Sequence, residues 1–224
     1  NCAYQTQKRY KIFCDCIKDH IGFIKLNELA PATIEQFYAN LEKEKITLKS
    51  GEKKRHYKNG TILKTHKMLH EALKKAVLWG MIPKNPADYV SAPADDKREI
   101  QTWSLEEIQT FLNLIKGSKL YLPVFIAANT GMREGEICAL RWQDIDFENN
   151  YLKVNHTMIR KDGRLLLGEP KTEASKDKVF LTKSLKKELE NVKDRQKYIS
   201  YKLSKNNFQF VCCWYNGRPL STTY

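Results

Sequence analysis

TGMREGEICALRW, which runs from Thr130 to Trp142, is the most informative stretch of this 224-residue chain. Gly131 predicts the end of one helix, because glycine readily adopts the left-handed conformation at a helix C-terminus. A second helix is predicted to start near Arg133 and run through Leu140, which places Arg133 beside backbone N–H groups that lack intrahelical partners. Arg133 and Glu136 are three residues apart, so they share a helical face and the carboxylate can hold the guanidinium. An arginine held in this way is suited to binding a phosphate.

A second informative stretch is EPKTEASKDKV, residues 169–179. It lies between two strand candidates, so Lys171 is expected at or near the tip of a hairpin, from which its side chain can reach into a groove. Taken by themselves, an Arg–Glu pair on a helix surface and a lysine in a turn are common structural features. A purely structural role for Arg133, Glu136 and Lys171 therefore stays open on these residues alone.

The residues C-terminal to the first stretch predict a small antiparallel sheet. Alternation of apolar and polar residues gives strand candidates at 151–159, 164–167 and 179–181. Turn signals stand at Asn149-Asn150 and at Asp162-Gly163.

Helices are predicted on either side of this sheet. Ser104 and Glu107 have the spacing of a capping box, which opens one helix. An apolar helix is expected from about residue 120 to residue 128. Ser184 is expected to cap a charged helix that ends near Tyr201. The apolar run at 208–214 is predicted to be a buried strand.

The first ninety residues predict a bundle of three or four short helices. Apolar residues recur every three or four positions over 10–21 and again over 69–77. Thr33 and Gln36 have the spacing of a capping box. The Lys- and Gly-rich segment 49–60 is expected to be a loop.

The segment SAPADDKRE, residues 91–99, combines small and charged residues with no apolar period and is typical of a linker. The chain is therefore predicted to consist of a helical domain over 1–92, a linker over 93–99 and an α+β domain over 100–224.

Positive charge dominates the chain, which has 39 Lys and Arg against 26 Asp and Glu and a net charge of +13. Such an excess indicates a polyanionic partner, with nucleic acid the leading candidate. Between residues 43 and 75 there are eleven basic and three acidic side chains, a net charge of +8. A solvated lysine-rich face is the alternative explanation. If the segment binds DNA, the residues expected to contact phosphates are Lys53, Lys54, Arg55, Lys58, Lys64 and Lys67.

Several classes of protein are excluded by local sequence. There is no apolar run long enough for a membrane helix and no signal-peptide layout, so no membrane partner is expected. The motifs GxxxxGK[ST], GxGxxG, HExxH and GxSxG do not occur. Asp144 and Asp146 are interpreted as solvated residues at a strand edge rather than a metal pair.

The six cysteines do not have the spacing of a zinc site. They are expected to be small buried side chains without disulfides in a reducing compartment, which predicts a cytoplasmic protein. No metal and no cofactor are expected.

At three stretches the chain resembles the tyrosine recombinases, in particular integrases of Gram-positive phages and conjugative elements. The pattern TGxRxxE(I/L)xxLxW at 130–142 is similar to the family's first-arginine motif, and GEPKTxxS at 168–175 is similar to its β-hairpin lysine motif. HKMLHEALKKAVLWGMIPKNPA at 66–87 resembles the end of the family's core-site DNA-binding domain. The resemblance implies a mainly α fold with a small antiparallel β-sheet. A helical, SAM-like core-binding domain over 1–92 would precede the N-terminal part of an α+β catalytic domain over 100–224.

The resemblance also implies roles for the residues of the two stretches. Members of this family recombine DNA at specific sites through a tyrosine that becomes linked to the 3′-phosphate, which conserves the phosphodiester energy without a metal or cofactor. Arg133 would neutralise the nonbridging oxygens of the transition state, Glu136 would support it, and Lys171 would be the general acid for the departing 5′-hydroxyl.

The chain departs from the family pattern after Lys171. No H/K-x-x-R motif, following His or Trp, or tyrosine nucleophile is recognisable there. Tyr224 follows residues that resemble the approach to the H-x-x-R helix, so it is rejected as the nucleophile, and Tyr198 and Tyr201 are expected to be packing or surface residues. The chain is therefore expected to be truncated at its C-terminus and to bind DNA without cleaving it. Whether an arm-site-binding domain precedes Asn1 is left open.

Two further expectations concern His156 and Arg160, which precede Lys171 and are predicted to be strand residues without a catalytic role.

The implied partners are double-stranded DNA carrying attachment or core sites, other copies of the complete protein on that DNA, and an excisionase or host bending protein. A non-catalytic, sequence-specific DNA-binding regulator is the alternative function. An RNA-binding protein is disfavoured, because the aromatic motifs of RNA-recognition domains are missing.

Overall fold

A computed structural model describes residues 4–47, 53–95, 99, 101–169, 178–202 and 208–221, with only the backbone described for 53–55. Contacts divide the chain into two compact units, Asn1–Ile100 and Gln101–Tyr224. The domain and linker boundaries drawn from the sequence stay predictions. Among the helices of the described ranges, none is long and apolar enough to cross a membrane.

The first unit is helical, as the apolar periodicity predicts. Its helices are α1 (Tyr4–Ile21), α2 (Pro31–Lys43) and α3 (Asn59–Leu78). A core joins them, in which Ile34, Phe37, Leu41, Ile62, Leu69 and Leu73 are buried.

Two predictions for the first unit are wrong. Thr33 and Gln36 form no capping box, because α2 begins at Pro31, where proline's fixed φ favours helix and its missing N–H needs no partner. The segment 49–60 is not simply a loop: strands β1 (Lys45–Thr47) and β2 (Lys53–Arg55) form an antiparallel hairpin. The ladder continues to the N–H of His56, which donates to the carbonyl of Glu44 at 2.8 Å.

The second unit contains helices α4 (Leu105–Leu114), α5 (Tyr121–Thr130), α6 (Glu134–Ala139) and α7 (Lys183–Lys202). The capping box at the start of α4 is confirmed, since Ser104 Oγ accepts from the N–H of Glu107 at 3.2 Å and Glu107 Oε2 accepts from the N–H of Ser104 at 2.8 Å. The predicted cap of α7 is wrong. Thr182 Oγ1, not Ser184, accepts from the N–H of Leu185 at 3.2 Å.

Small antiparallel sheets complete the second unit and confirm the mainly α fold with little β structure. Strands β3 (Ile145–Asp146), β4 (Tyr151–Lys153) and β7 (Lys178–Phe180) pair in the order β3–β4–β7. Strands β5 (Thr157–Lys161) and β6 (Arg164–Gly168) form a hairpin whose turn residues, Asp162 and Gly163, have φ of +50° and +79°. This is the left-handed turn that an Asp-Gly pair favours.

Two strand predictions need correction. The candidate at 151–159 is divided between β4 and β5, because residues 154–156 leave the ladder. The run at 208–214 forms single bridges, Arg141 with Phe210 and Cys213 with Pro219, and no strand. Its burial is nevertheless as expected, since Val211 and Cys212 are 1% and 2% exposed and belong to the core of the unit.

Candidate active site and nucleic-acid interface

A sharp change of direction at Gly131 separates α5 from α6. Gly131 has φ of +67°, and its N–H donates to the carbonyl of Ala127 at 2.9 Å. The hydroxyl of Thr130 donates to the carbonyl of Ile126 at 2.6 Å and accepts from the N–H of Met132 at 3.2 Å. Because glycine has no Cβ penalty at positive φ, this position ends α5 and allows α6 to begin three residues later.

Arg133 directly precedes α6 and is held by Glu136. The backbone N–H of Arg133 donates to Glu136 Oε2 at 2.9 Å, and its Nη1 donates to Glu136 Oε1 at 2.9 Å. The Glu136 side chain is 7% exposed whereas the Arg133 side chain is 64% exposed. A buried carboxylate thus orients an exposed guanidinium, which is the arrangement that the sequence predicts for phosphate binding.

Gly135 allows α6 to lie against β5. A Cβ atom at this position would be 2.6 Å from Thr157 Oγ1 and 3.1 Å from the carbonyl oxygen of Met158. Both contacts are closer than side chains normally tolerate, so the absence of a side chain at Gly135 lets the helix that follows Arg133 pack on the hairpin.

We expect Gly135→Ala to destabilise the second unit by about 1–3 kcal/mol, the usual cost of overpacking, even though alanine favours helix more than glycine does. Urea unfolding followed by tryptophan fluorescence measures the change. Thr157→Ala removes the nearer atom, so the double variant should recover part of the loss. An unchanged free energy of unfolding for Gly135→Ala would show that α6 and β5 are not packed this closely.

A second arginine, Arg141, forms a buried network that the sequence analysis missed. Its Nε and Nη2 donate to the two carboxylate oxygens of Asp144 at 3.0 and 3.1 Å. Asn155 Nδ2 donates to Asp144 Oδ1 at 2.8 Å. The side chains of Arg141 and Asp144 are 13% and 4% exposed. The sequence context of Asp144 predicts a solvated residue at a strand edge. That prediction is wrong, because Asp144 neutralises a buried arginine.

The electrostatics of Asp144 follow from this network. Burial raises the pKa of its carboxyl, but hydrogen bonds from Arg141 and Asn155, together with the charge of Arg141, outweigh burial and hold the pKa below its ordinary value. The spacing of Arg141 and Asp144 is the same i, i+3 spacing as that of Arg133 and Glu136. That repetition is the one signal in the sequence from which this pair could have been predicted.

His156 belongs to the same network. It lies in the connection between β4 and β5, so its predicted strand position is wrong, whereas Arg160 lies in β5 as predicted. Arg141 Nη2 lies 3.0 Å from His156 Nδ1. Since a guanidinium can only donate, Nδ1 must accept and the ring proton must be on Nε2.

Thiols and carboxylates give no sign of a metal centre in the described ranges, where no group of three His, Cys, Asp or Glu could hold an ion. Cys16, Cys138 and Cys212 are buried, while Cys14 and Cys213 are partly exposed. Burial raises the pKa of Cys138 and of Cys213 to about 11, so these thiols are protonated at neutral pH.

The outer face of α3 carries the predicted DNA-binding lysines that the structure describes. Lys64 and Lys67 are exposed on this helix, and Lys58 is exposed just before it. Lys74 and Lys75 are exposed at helical spacing from them and were not predicted as contacts. Glu71 is the acidic residue between them on this face. The α3 face, defined as Lys64, Lys67, Lys74 and Lys75, is thus strongly basic.

Histidines of α3 contact neighbouring residues of the first unit. These contacts hold the helix in its orientation and so keep the α3 face on the outside. His66 is 8% exposed, and its Nδ1 lies 2.9 Å from the hydroxyl of Tyr38. Burial, with smaller effects of His70 and Lys67, lowers the pKa of His66, so its ring is neutral at pH 7. His70 Nε2 lies 2.7 Å from Asp88 Oδ1.

The remaining predicted residues are only partly covered by the structure. Lys53, Lys54 and Arg55 form strand β2 of the hairpin that precedes α3. Lys171 and Tyr224 lie outside the described residues. Tyr198 and Tyr201 are 64% and 87% exposed on α7, as expected of surface residues.

The fold has solved counterparts. The Tn1549 transposon integrase, in a structure with transposon right end DNA, matches with a TM-score of 0.79 at 20% identity over 99% of this chain and 69% of that one. At that identity the likeness shows the fold alone.

Sequence comparison assigns the family. The phage integrase family profile matches residues 102–222, and the phage integrase SAM-like domain profile matches residues 1–92. The chain therefore belongs to the phage integrase family, as its resemblance to the tyrosine recombinases implies.

Two curated relatives are similar over part of their length. The ICEBs1 integrase of Bacillus subtilis is 33% identical over 118 residues, which are 52% of this chain and 32% of the relative. A XerC-like tyrosine recombinase of Caldanaerobacter subterraneus subsp. tengcongensis is 33% identical over 160 residues, which are 63% of this chain and 41% of the relative. The match thus spans well under half of each curated relative.

Proposed function

We propose that this chain binds double-stranded DNA through its first unit and contributes part of the active site of a site-specific tyrosine recombinase through its second unit. The observation that carries the proposal is the geometry at Arg133, whose exposed guanidinium is held by the buried carboxylate of Glu136. A protein that only binds DNA has no need of a buried carboxylate that orients one arginine, whereas phosphoryl transfer requires a positioned cation.

In the proposed reaction, a tyrosine attacks the scissile phosphate and forms a 3′-phosphotyrosyl bond while the 5′-oxygen leaves. Arg133 would donate hydrogen bonds to the nonbridging oxygens, on which negative charge increases in the transition state. Glu136 would hold the guanidinium in position before the reaction, so no free energy would be spent on orienting it in the transition state. Lys171 would protonate the leaving oxygen. Cleavage requires a protein that also supplies the tyrosine and the H-x-x-R residues, whereas DNA binding is proposed for the 224 residues themselves.

The first unit would hold the DNA through phosphate contacts. The β1–β2 hairpin precedes α3 in the chain, and both the hairpin and the α3 face are rich in lysine. We further propose that complete proteins of this type associate with one another on DNA, since recombination joins two sites. An excisionase or host bending protein and a location in the bacterial cytoplasm, where the DNA is, belong to the same proposal.

We expect Lys64→Gln and Lys67→Gln each to reduce the slope of log Kobs against log salt by about 0.9, because each removes one phosphate contact. Fluorescence anisotropy with a labelled duplex, titrated from roughly 50 to 200 mM salt, measures this slope. Lys25→Gln is the matched control. It removes one positive charge from the same unit, but Lys25 Nζ already lies 3.4 Å from Glu28 Oε1.

Reversing the charges of Lys53, Lys54 and Arg55 together should reduce the slope of log Kobs against log salt by more than either single variant does. An unchanged slope for this triple variant would show that the hairpin does not contact phosphates. If Lys25→Gln changed the slope as much as Lys64→Gln, net charge rather than the α3 face would explain binding, and this part of the proposal would be wrong.

A further inference from the structure

We propose that Lys153 and Lys178 form a phosphate-binding pair on the exposed face of the β3–β4–β7 sheet and hold one backbone phosphate of bound DNA. This inference rests on the proposed function, since it adds a DNA contact in the second unit that neither the motifs nor the basic segment at 43–75 predicts.

The two lysines face each other across the sheet. In the antiparallel pairing of β4 with β7, Lys153 lies opposite Lys178 and Tyr151 lies opposite Phe180. Alternate side chains share a face, so all four are on the same side, while Leu152 and Val179 turn into the core. Both lysines are exposed, and the ring of Phe180 is 74% exposed.

The ring of Tyr151 lies within cation–π range of both ammonium groups. Lys178 Nζ is 4.5 Å from the centroid of this ring, and Lys153 Nζ is 5.9 Å from it. A ring attracts cations through its quadrupole but does not neutralise them. Opposite residues of an antiparallel pair have Cβ atoms about 4.5–5.5 Å apart, a distance at which both lysines can donate to the oxygens of one phosphate.

Stability of the fold does not explain this pairing. Like charges directly opposite each other in a sheet repel. Within the ranges that the structure describes, neither lysine forms an ion pair. Asp146, opposite Tyr151 on the same face, is the nearest acidic residue in the sheet register. Its Oδ1 accepts from the N–H groups of Glu148 and Asn149 at 3.1 and 2.9 Å, and its Oδ2 accepts from Asn149 Nδ2 at 2.9 Å. The carboxylate thus caps its own turn, and the lysine pair keeps its charge for a ligand.

The position of the pair in the chain indicates DNA as that ligand. Lys178 follows Lys171 by seven residues, which span at most about 25 Å even when fully extended. A duplex that Lys171 contacts would therefore pass close to the pair. Phosphates are the groups that such a duplex presents on its surface, and lysine binds them as a point charge.

The test compares Lys153→Gln/Lys178→Gln with Lys153→Arg/Lys178→Arg in the 224-residue chain. Because the pair shares one phosphate, the glutamine variant should lower the salt slope of binding to a mixed-sequence duplex by about 0.9, which is about an eightfold weaker affinity at 0.1 M salt. The arginine variant keeps both charges and should retain the slope.

Lys186→Gln is the control, because Lys186 has a structural role on the same unit. Its Nζ donates to the carbonyl of Phe147 at 2.6 Å and to Asn150 Oδ1 at 2.8 Å, so this variant should lower the thermal midpoint and leave the slope unchanged. An unchanged slope for the glutamine pair overturns the inference while the α3 contacts stand. If the unsubstituted chain shows no salt-dependent binding to DNA, the proposed function fails and this inference fails with it.

Discussion

Arg133→Ala should slow DNA strand cleavage by about 10²–10³-fold, the usual loss when one hydrogen-bond donor to a developing negative charge is removed. The measurement is the rate at which a covalent adduct forms with a nicked suicide substrate. The assay uses a protein that contains these 224 residues together with a catalytic tyrosine. DNA affinity should fall far less, by about eightfold at 0.1 M salt, because only one phosphate contact is lost. Equal losses in cleavage and affinity would mean that Arg133 stabilises bound DNA and the transition state to the same extent.

Glu136→Gln is the companion variant, because it separates the position of Arg133 from its presence. The amide keeps one oxygen as an acceptor but loses the charge that holds the guanidinium, whose Nη1 is 2.9 Å from Glu136 Oε1. We expect cleavage to slow, but less than in Arg133→Ala, with DNA affinity unchanged.

The 224-residue chain alone should give no covalent adduct. An adduct on Tyr224 would contradict the prediction that Tyr224 is not the nucleophile. It would also contradict the expectation that the chain binds DNA without cleaving it.

Local interactions explain which parts of the fold could be predicted from sequence. Gly131, the capping box of Ser104 and Glu107, and the Asp162-Gly163 turn all depend on residues within four positions of one another. Arg133 and Glu136 belong to the same class, since a single turn of α6 brings them together. Short-range geometry therefore predicts the contact between Arg133 and Glu136, which the structure shows at 2.9 Å.

Long-range packing explains what could not be predicted. Asp144 is polar and precedes a turn, so its sequence context indicates exposure, yet Asn155 and His156 approach it and Arg141 from the far end of β4. The run at 208–214 looks like a strand, but it is buried by single contacts, such as the N–H of Val211 to the carbonyl of Leu140 at 2.9 Å. Apart from the i, i+3 spacing of Arg141 and Asp144, contacts between residues so distant in the chain leave no pattern in the local sequence.

Asp144→Ala should destabilise the second unit by about 3–5 kcal/mol, because it leaves the guanidinium of Arg141 buried without its counter-charge. The pair is 13% and 4% exposed, and two hydrogen bonds link it at 3.0 and 3.1 Å. Urea unfolding followed by tryptophan fluorescence reports the loss, since Trp142 adjoins Arg141 in the chain. Asp194→Ala is the control. Asp194 is 77% exposed and its oxygen lies 3.7 Å from Lys197 Nζ, so a surface pair of this kind should contribute little.

The pH dependence distinguishes loss of the charge pair from a simple packing defect. The folded-state pKa of Asp144 lies below its ordinary value, so the carboxylate contributes its stability at pH values above the unfolded pKa, about 3.9. That contribution is lost as the pH falls below this value toward the folded-state pKa. The difference between the unsubstituted chain and Asp144→Ala should therefore be constant above about pH 5 and shrink below about pH 4. A difference that stays constant down to pH 3 would mean that shape, not charge, accounts for the loss, because a methyl-sized cavity does not titrate.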